Sequence, residues 1–209
     1  MTAEEALKRL QDGNKRFVDR SHEYAGLDDE KRKALVSEGQ NPLACVLSCS
    51  DSRVPSEHIF DCGFGDLFMV RVAGNIVHSI ETGSVEFAVW ELGVPLVVVL
   101  GHTHCGAVTA AVSEETAFGA VRLILDRVLP SVHQAQTENP GADTDTIINS
   151  AVRKNVFKSM EDLLLGSMVV RRSVRVNRME LHGAIYDIET GTVEWLGEHP
   201  RQREWLELG

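Results

Sequence analysis

Two spacings of apolar residues alternate along this chain, and their alternation predicts its architecture. Residues Ala3 to Phe17 set Ala6, Leu7, Leu10 and Phe17 among charged neighbours, at the spacing of an amphipathic helix. Thr2 precedes them with Glu5 three positions on, the arrangement of a capping box. A second, polar helix is expected from about Asp28 to Glu38, closed by Gly39 as a left-handed cap. Leu43 to Leu47 is a compact apolar run that reads as a strand carrying Ser48 and Cys49 to its end, with Asp51 to Glu57 as the loop beyond. Leu67 to Val70 predicts a second strand, and Val72-Ala73-Gly74-Asn75 turns away from it. Thr82 to Leu92 places Val85, Ala88, Val89 and Leu92 on one face, a crossover helix ended by Gly93. Pro95 to Leu100 follows, apolar throughout, as expected of a strand covered on both faces.

From Cys105 to about Leu165 the pattern is mostly helical, broken at Asn139-Pro140-Gly141, with Asp143 or Thr144 as the next cap. A short helix over Ser167 to Val176 precedes two strands, Met179 to Asp187 and Thr192 to Leu196, joined through Glu189-Thr190-Gly191. The order predicts an α/β fold: a mostly parallel central sheet with flanking helices, a helical arm over residues 1–38, an α/β core over 43–196 and a C-terminal edge hairpin. With no repeat, low-complexity segment or dividing linker, residues 1–209 read as one domain, large enough to bury a core without disulfides.

Charge narrows the partners. A formal net charge of −10 argues against nucleic acid, whose binding needs clustered Lys and Arg. The most basic stretch, Arg171, Arg172, Arg175 and Arg178, is interleaved with Val and Met and reads as a solvated helix face. The apolar run from Val94 to Leu100 is far too short to span a bilayer. Four unevenly spaced cysteines and an acidic N-terminus without an apolar stretch predict a reduced, cytoplasmic protein with no export leader.

Candidate chemistry gathers in two clusters about fifty residues apart, Cys49-Ser50-Asp51-Ser52-Arg53 and Gly101-His102-Thr103-His104-Cys105, each following a predicted buried strand. Ligands in open α/β sheets gather at the carboxyl ends of strands, so one crevice could hold both. Two thiolates and one imidazole, from Cys49, Cys105 and His102, make a donor set that zinc prefers, and three protein ligands leave a fourth position open. Zinc with two thiolates is formally neutral, so water upon it should acidify less readily than on an all-histidine site. Asp51 would compensate by accepting a hydrogen bond from the nucleophile and orienting it, while Arg53 keeps Asp51 ionised and grips both its oxygens. The reaction class is metal-assisted attack of hydroxide on a small electrophilic carbon.

At these residues the chain closely resembles the β-class carbonic anhydrases. Their pattern of Cys-x-Asp-x-Arg followed by Gly-His-x-x-Cys-Gly stands here at Cys49, Asp51, Arg53, Gly101, His102, Cys105 and Gly106. The likeness extends to Gly13-Asn14-Lys15-Arg16-Phe17, Gly65-Asp66-Leu67-Phe68, Tyr186-Asp187 and Gly191. The resemblance implies reversible hydration of carbon dioxide to bicarbonate with one zinc ion per chain, on a homodimer that often pairs into a dimer of dimers, the N-terminal helix embracing the partner. It implies that Gln40, nine residues before Cys49, hydrogen-bonds substrate, and that Phe68 and Phe87 line an apolar pocket at the dimer interface. It also implies two states for Asp51, one paired with Arg53 and one swung in as a fourth zinc ligand that closes the site. Val46 stands where a bicarbonate-regulated subgroup carries tryptophan, which favours the open state. Arg71-Val72-Ala73-Gly74-Asn75 departs from the Arg-Asn-x-Ala-Asn of some members, a change in the pocket wall that leaves the ligands untouched.

Other readings compete. The same fold and metal would serve hydrolysis of carbonyl sulfide or carbon disulfide, linear molecules with a similar electrophilic carbon. A noncatalytic zinc-stabilised binding module would need a fourth protein ligand, Cys62 or His104. Cys45 and Cys62 read as small buried hydrophobes, His104 as a loop or interface side chain, and His58, His78 and His182 carry no distinguishing spacing.

Overall fold

The computed structural model describes residues 1–23, 26–114 and 116–207. The elements run α1 (Ala3–Val18), α2 (Asp29–Glu38), β1 (Ala44–Ser48), α3 (Ser56–Ile59), β2 (Leu67–Arg71), a 3-10 turn (Ala73–Asn75), α4 (Ser79–Trp90), β3 (Leu96–His102), α5 (Gly106–Val112), α6 (Val121–Glu138), α7 (Thr144–Gly166), α8 (Met168–Arg175), β4 (Glu180–Tyr186), β5 (Val193–Gly197) and α9 (Gln202–Leu206). Among the described residues, five strands form one sheet in the order β2-β1-β3-β4-β5. The first four are parallel and β5 runs antiparallel to β4, the predicted edge hairpin.

Strands β1 and β3 are buried at every position, which is why their sequences are uninterrupted apolar runs. Alternate side chains feed opposite faces. Cys45, Leu47, Val97 and Val99 enter the core beneath helices α4 to α8, whereas Ala44, Val46, Leu96, Val98 and Leu100 meet α1 and α3. Helix α1 therefore covers a face of its own chain's sheet. Thr2 and Glu5 form the expected capping box, and Ala6 and Leu10 are fully buried, where a side chain such as Leu10 contributes about 1.5–3 kcal/mol. Asn14 fastens the helix: its amide donates to the carbonyls of Ile59 and Gly191 at 3.3 and 2.9 Å, and its Oδ1 accepts from Val193 N at 2.9 Å. Gly13 allows this approach, since a Cβ there would lie 1.9 Å from the Phe60 carbonyl oxygen.

The boundaries depart from expectation in instructive places. Helix α4 starts at Ser79 rather than Thr82, because the side chain of Glu81 accepts from the His78 N–H at its start. Strand β3 continues through Gly101 and His102, paired with Ile185 and Tyr186 of β4. The predicted helical stretch after Cys105 is interrupted once more, between α5 and α6, and the short α3 and α9 lie outside the predicted elements. Asp143 is the cap of α7, accepting from Thr146 N.

Helix α7 seats deeply on the sheet. A Cβ on Gly101 would come within 2.5 Å of Val156 Cγ2, and one on Gly183 within 2.9 Å of Val156 Cγ1 and Met160 Sδ. Val156 thus occupies a notch between two glycines on adjoining strands. No helix among the described residues is long and apolar enough to cross a membrane.

Candidate metal centre

Strands β1 and β3 are neighbours, and their connections leave in opposite directions: the chain passes from β1 outward to β2, then returns across β1 to β3. Such a reversal opens a crevice at the strand ends. Cys49 follows β1 directly, His102 closes β3, and Cys105 immediately precedes α5. One ligand atom from each of Cys49, His102 and Cys105 lies within 4.8 Å of the others, and all three residues are buried.

The ring of His102 is oriented for a metal. Its Nδ1 lies 2.8 Å from the Thr103 carbonyl oxygen, which makes Nδ1 the protonated nitrogen and leaves a lone pair on Nε2. That Nε2 is buried without a hydrogen-bond partner. A buried orphan acceptor is costly, and here it faces two sulfurs. The donor set therefore fits zinc, by its chemistry and by the unsatisfied atom at its centre.

The two thiols are linked to each other. The Cys105 thiol and the N–H groups of Asp51 and Gly74 favour thiolate at Cys49 against its burial, and the Gly74 N–H donates to its Sγ at 3.2 Å. Cys105 is pushed the other way by that hydrogen bond, by burial and by the negative charge of Cys49, against an opposing pull from the N–H groups of Val108 and Ala107. The two shifts oppose each other because a negative charge on one sulfur disfavours a second on its neighbour. A divalent ion would relieve the repulsion that prevents the second thiol from ionising.

Asp51 and Arg53 make the predicted pair. The guanidinium donates from Nε to Oδ1 at 3.0 Å and from Nη2 to Oδ2 at 2.7 Å, and Arg53 N adds 2.9 Å to Oδ1. Arg53 is the main reason that the Asp51 carboxyl lies well below the usual carboxylate range, and burial opposes the shift. Asp51 Oδ2 stands 4.0 Å from His102 Nε2, beside the cluster and outside it. Arg53 Nη2 also donates to the His104 carbonyl at 3.0 Å, tying the first cluster to the second.

A chain of this length and site geometry has known counterparts. A family profile described as carbonic anhydrase matches residues 44–193. The chain is 36% identical over 195 residues to a carbonic anhydrase of Mycolicibacterium smegmatis, covering 90% of this chain and 91% of that protein. It is 35% identical over 190 residues to carbonic anhydrase 2 of Mycobacterium tuberculosis, covering 89% of each.

The chain belongs to the β-carbonic anhydrase family. A solved β-carbonic anhydrase of Aspergillus fumigatus superposes with a TM-score of 0.77 at 29% identity, covering 86% of this chain and 88% of that one. A tetrameric β-carbonic anhydrase of Sordaria macrospora gives 0.74 at 26% identity, with 81% and 87% covered.

β-Carbonic anhydrases are zinc enzymes, and the Cys-His-Cys cluster of this member is able to bind a metal ion. Among the other singled-out residues, Phe68 and Phe87 stack with ring centroids 6.0 Å apart. Phe87, 49% exposed, also lines an apolar groove of about 620 Å³ with Trp90, Met168 and Val176, none of them a cluster residue. Gln40 lies exposed between α2 and β1. His104 has φ 56° and pairs with Glu189 at 3.2 Å, and Cys62 Sγ donates to the Phe60 carbonyl. Burial pushes the Cys45 and Cys62 thiols up to about 12, as befits inert core residues.

One contributor lies outside the two metal-site clusters. Arg71, at the end of β2, donates to the carbonyls of Cys49 and Asp51 at 3.2 and 2.7 Å, bracing the loop that carries both. Its position after an apolar strand gave no hint of which carbonyls it would meet.

Proposed function

We propose that this chain catalyses the reversible hydration of carbon dioxide to bicarbonate and a proton. One observation carries the reading: a buried, unpartnered His102 Nε2 shares a small space with two sulfurs, while a carboxylate locked by arginine stands 4.0 Å away. Cys49, His102 and Cys105 would hold one zinc ion. When bound, zinc supplies a Lewis-acid centre that makes hydroxide available at neutral pH. Asp51 accepts a hydrogen bond from the nucleophile and turns its remaining lone pair toward the substrate carbon. Arg53 keeps Asp51 ionised and holds it away from the ligand set, the open of the two states considered for Asp51. Phe68 and Phe87 are assigned to the apolar substrate side on the support of their stacking, and Gln40 on its spacing from Cys49.

The noncatalytic reading needs a fourth protein ligand, and neither Cys62 nor His104 belongs to the cluster. Sulfur analogues of carbon dioxide would meet the same residues, but the relatives of known activity are carbonic anhydrases. We further read residues 1–209 as one domain working as a homodimer or dimer of dimers. Support comes from the tetrameric Sordaria relative and from the exposed Trp90 and Met168 beside Phe87. A reduced, cytoplasmic setting accords with four free buried cysteines.

Stopped-flow hydration of carbon dioxide on protein of measured zinc content tests the reading, with Cys49→Ser as control. Wild type should turn over in proportion to its zinc, and the variant should lose both metal and activity. Zinc-replete wild type with no hydration above the uncatalysed rate would overturn the assignment.

A further inference from the structure

The sulfur of Cys49 has a partner whose position is set from a distant helix. Gly74, in the turn after β2, has φ 71° and ψ 14°, and Asn75 follows with φ 42°. Two successive residues in the left-handed region, the second not a glycine, persist only where surrounding contacts hold them. The contacts come from α7. Asn155 Nδ2 donates to the Gly74 carbonyl at 2.7 Å, and Ser159 Oγ to the Asn75 carbonyl at 2.8 Å. Asn155 and Ser159 stand one turn apart, each only 2% exposed, so both bonds are shielded from water. Across its Cα, in the preceding peptide unit, Gly74 turns its N–H to Cys49 Sγ at 3.2 Å. A side chain at Gly74 would crowd Ala107 Cβ at 3.2 Å and Val128 Cγ2 at 3.4 Å, so the turn is enclosed on this face too.

We propose that Asn155 is a positioning residue that, by anchoring the Gly74 carbonyl and with it the backbone angles of Gly74, keeps that residue's N–H on the sulfur of Cys49 and so sets how strongly that ligand donates to the metal. This deepens the zinc reading and rests on it. Hydrogen bonds to ligating atoms tune a metal centre as surely as the ligands do. They matter here because two thiolates already cancel the charge of a divalent ion. A donor on one sulfur draws density from it and leaves the metal the stronger Lewis acid. Ser159 serves as the internal comparison, since it grips the next carbonyl of the turn and leaves the Gly74 bond alone.

Cobalt-substituted protein reads the sulfur directly. In Asn155→Leu the sulfur-to-cobalt charge-transfer band should move to lower energy, because a sulfur without its donor holds its lone pair less tightly. Ser159→Ala should leave the band in place. An unmoved band in Asn155→Leu overturns the proposal, as do equal shifts in both variants, which would mark general loosening of α7. Should Asn155→Leu fail to fold, Asn155→Ser allows the same question by NMR of cadmium-substituted protein. Coupling from cadmium through Cys49 Sγ to the Gly74 amide proton should be present in wild type and lost in the variant; coupling that survives, or is absent from wild type, overturns the relay. Wild type that takes up no metal would overturn the zinc reading and the relay together, whereas bound metal with an unmoved band removes the relay alone.

Discussion

Replacing Arg53 with alanine isolates the restraint on Asp51. The change removes two side-chain bonds to the carboxylate, of 3.0 and 2.7 Å, and one to the His104 carbonyl, while the backbone bond of residue 53 to Oδ1 remains available. Hydrogen bonds between charged groups contribute about 1.5–3 kcal/mol each. Arg53 is half exposed and Asp51 mostly sheltered, so water replaces part of the loss and the lower end applies. The two bonds fix the orientation of the carboxylate, and a misplacement of about 1 Å in a reacting group costs roughly a hundredfold in rate. The freed carboxylate needs to cover only the 4.0 Å that separates Oδ2 from His102 Nε2 to compete for the position that the ring addresses. Stopped-flow measurement of kcat/KM, with zinc determined on the same samples, should show about a hundredfold loss at unchanged metal content. Arg53→Lys should recover only part of the rate, because a point charge cannot fork both oxygens. A zinc-replete Arg53→Ala protein within about threefold of wild type, less than 1 kcal/mol, would refute the reasoning.

Three further outcomes follow from other sites. Asp51→Asn should retain zinc yet lose at least about tenfold in hydration, since an amide presents a donor where an acceptor is needed; an unimpaired variant would remove Asp51 from the chemistry. Asn14→Ala strips three hydrogen bonds from the buried junction of α1, α3 and the β4–β5 hairpin, and should destabilise the chain by about 2–4 kcal/mol in urea unfolding at fixed protein concentration. A shift under about 0.5 kcal/mol, the range of ordinary surface changes, would show that the junction is not held this way. His199 packs on Trp205 at 4.4 Å and against Phe157, its Nδ1 accepts from Arg201 N, and burial lowers its pKa from the usual 6.5. A depressed folded-state value means that the neutral ring stabilises fully above about pH 6.5 and that this stability is lost as pH falls through the folded value. The urea midpoint should therefore drop on acidification below that point, and less steeply in His199→Phe; parallel slopes would exclude His199 as a source.

Much of this was legible in the chain because local physics wrote it there. Burial on both faces forces β1 and β3 to be continuous apolar runs, and the Thr2 and Glu5 pair marks its helix start without reference to anything distant. The cluster of Cys49, His102 and Cys105 was legible because Cys and His beside strand ends have few other uses in that pattern. The true start of helix α4, three residues earlier than expected, is hidden because His78 is an unusual residue at a helix start and the bond from its N–H to the Glu81 carboxylate is invisible without geometry. The contacts of Arg71, Asn155 and Asn14 are not legible for another reason. Each is an ordinary polar residue whose role lies in which carbonyl it reaches, and for Asn155 and Asn14 the partner is 81 and 177 residues away. The arm was expected to embrace a partner subunit, but α1 also has work at home, covering the sheet through Ala6 and Leu10.

Gly101 occupies the seat next to His102, yet what it accommodates is a methyl group of Val156 on the far helix. The helix that rests in this hollow also carries Asn155, so its depth governs the glycine turn that contacts Cys49. An engineer filling the hollow to toughen the protein against heat would lift α7 and retune the zinc ligand in the same stroke. Durability and chemistry in this scaffold must therefore be optimised jointly.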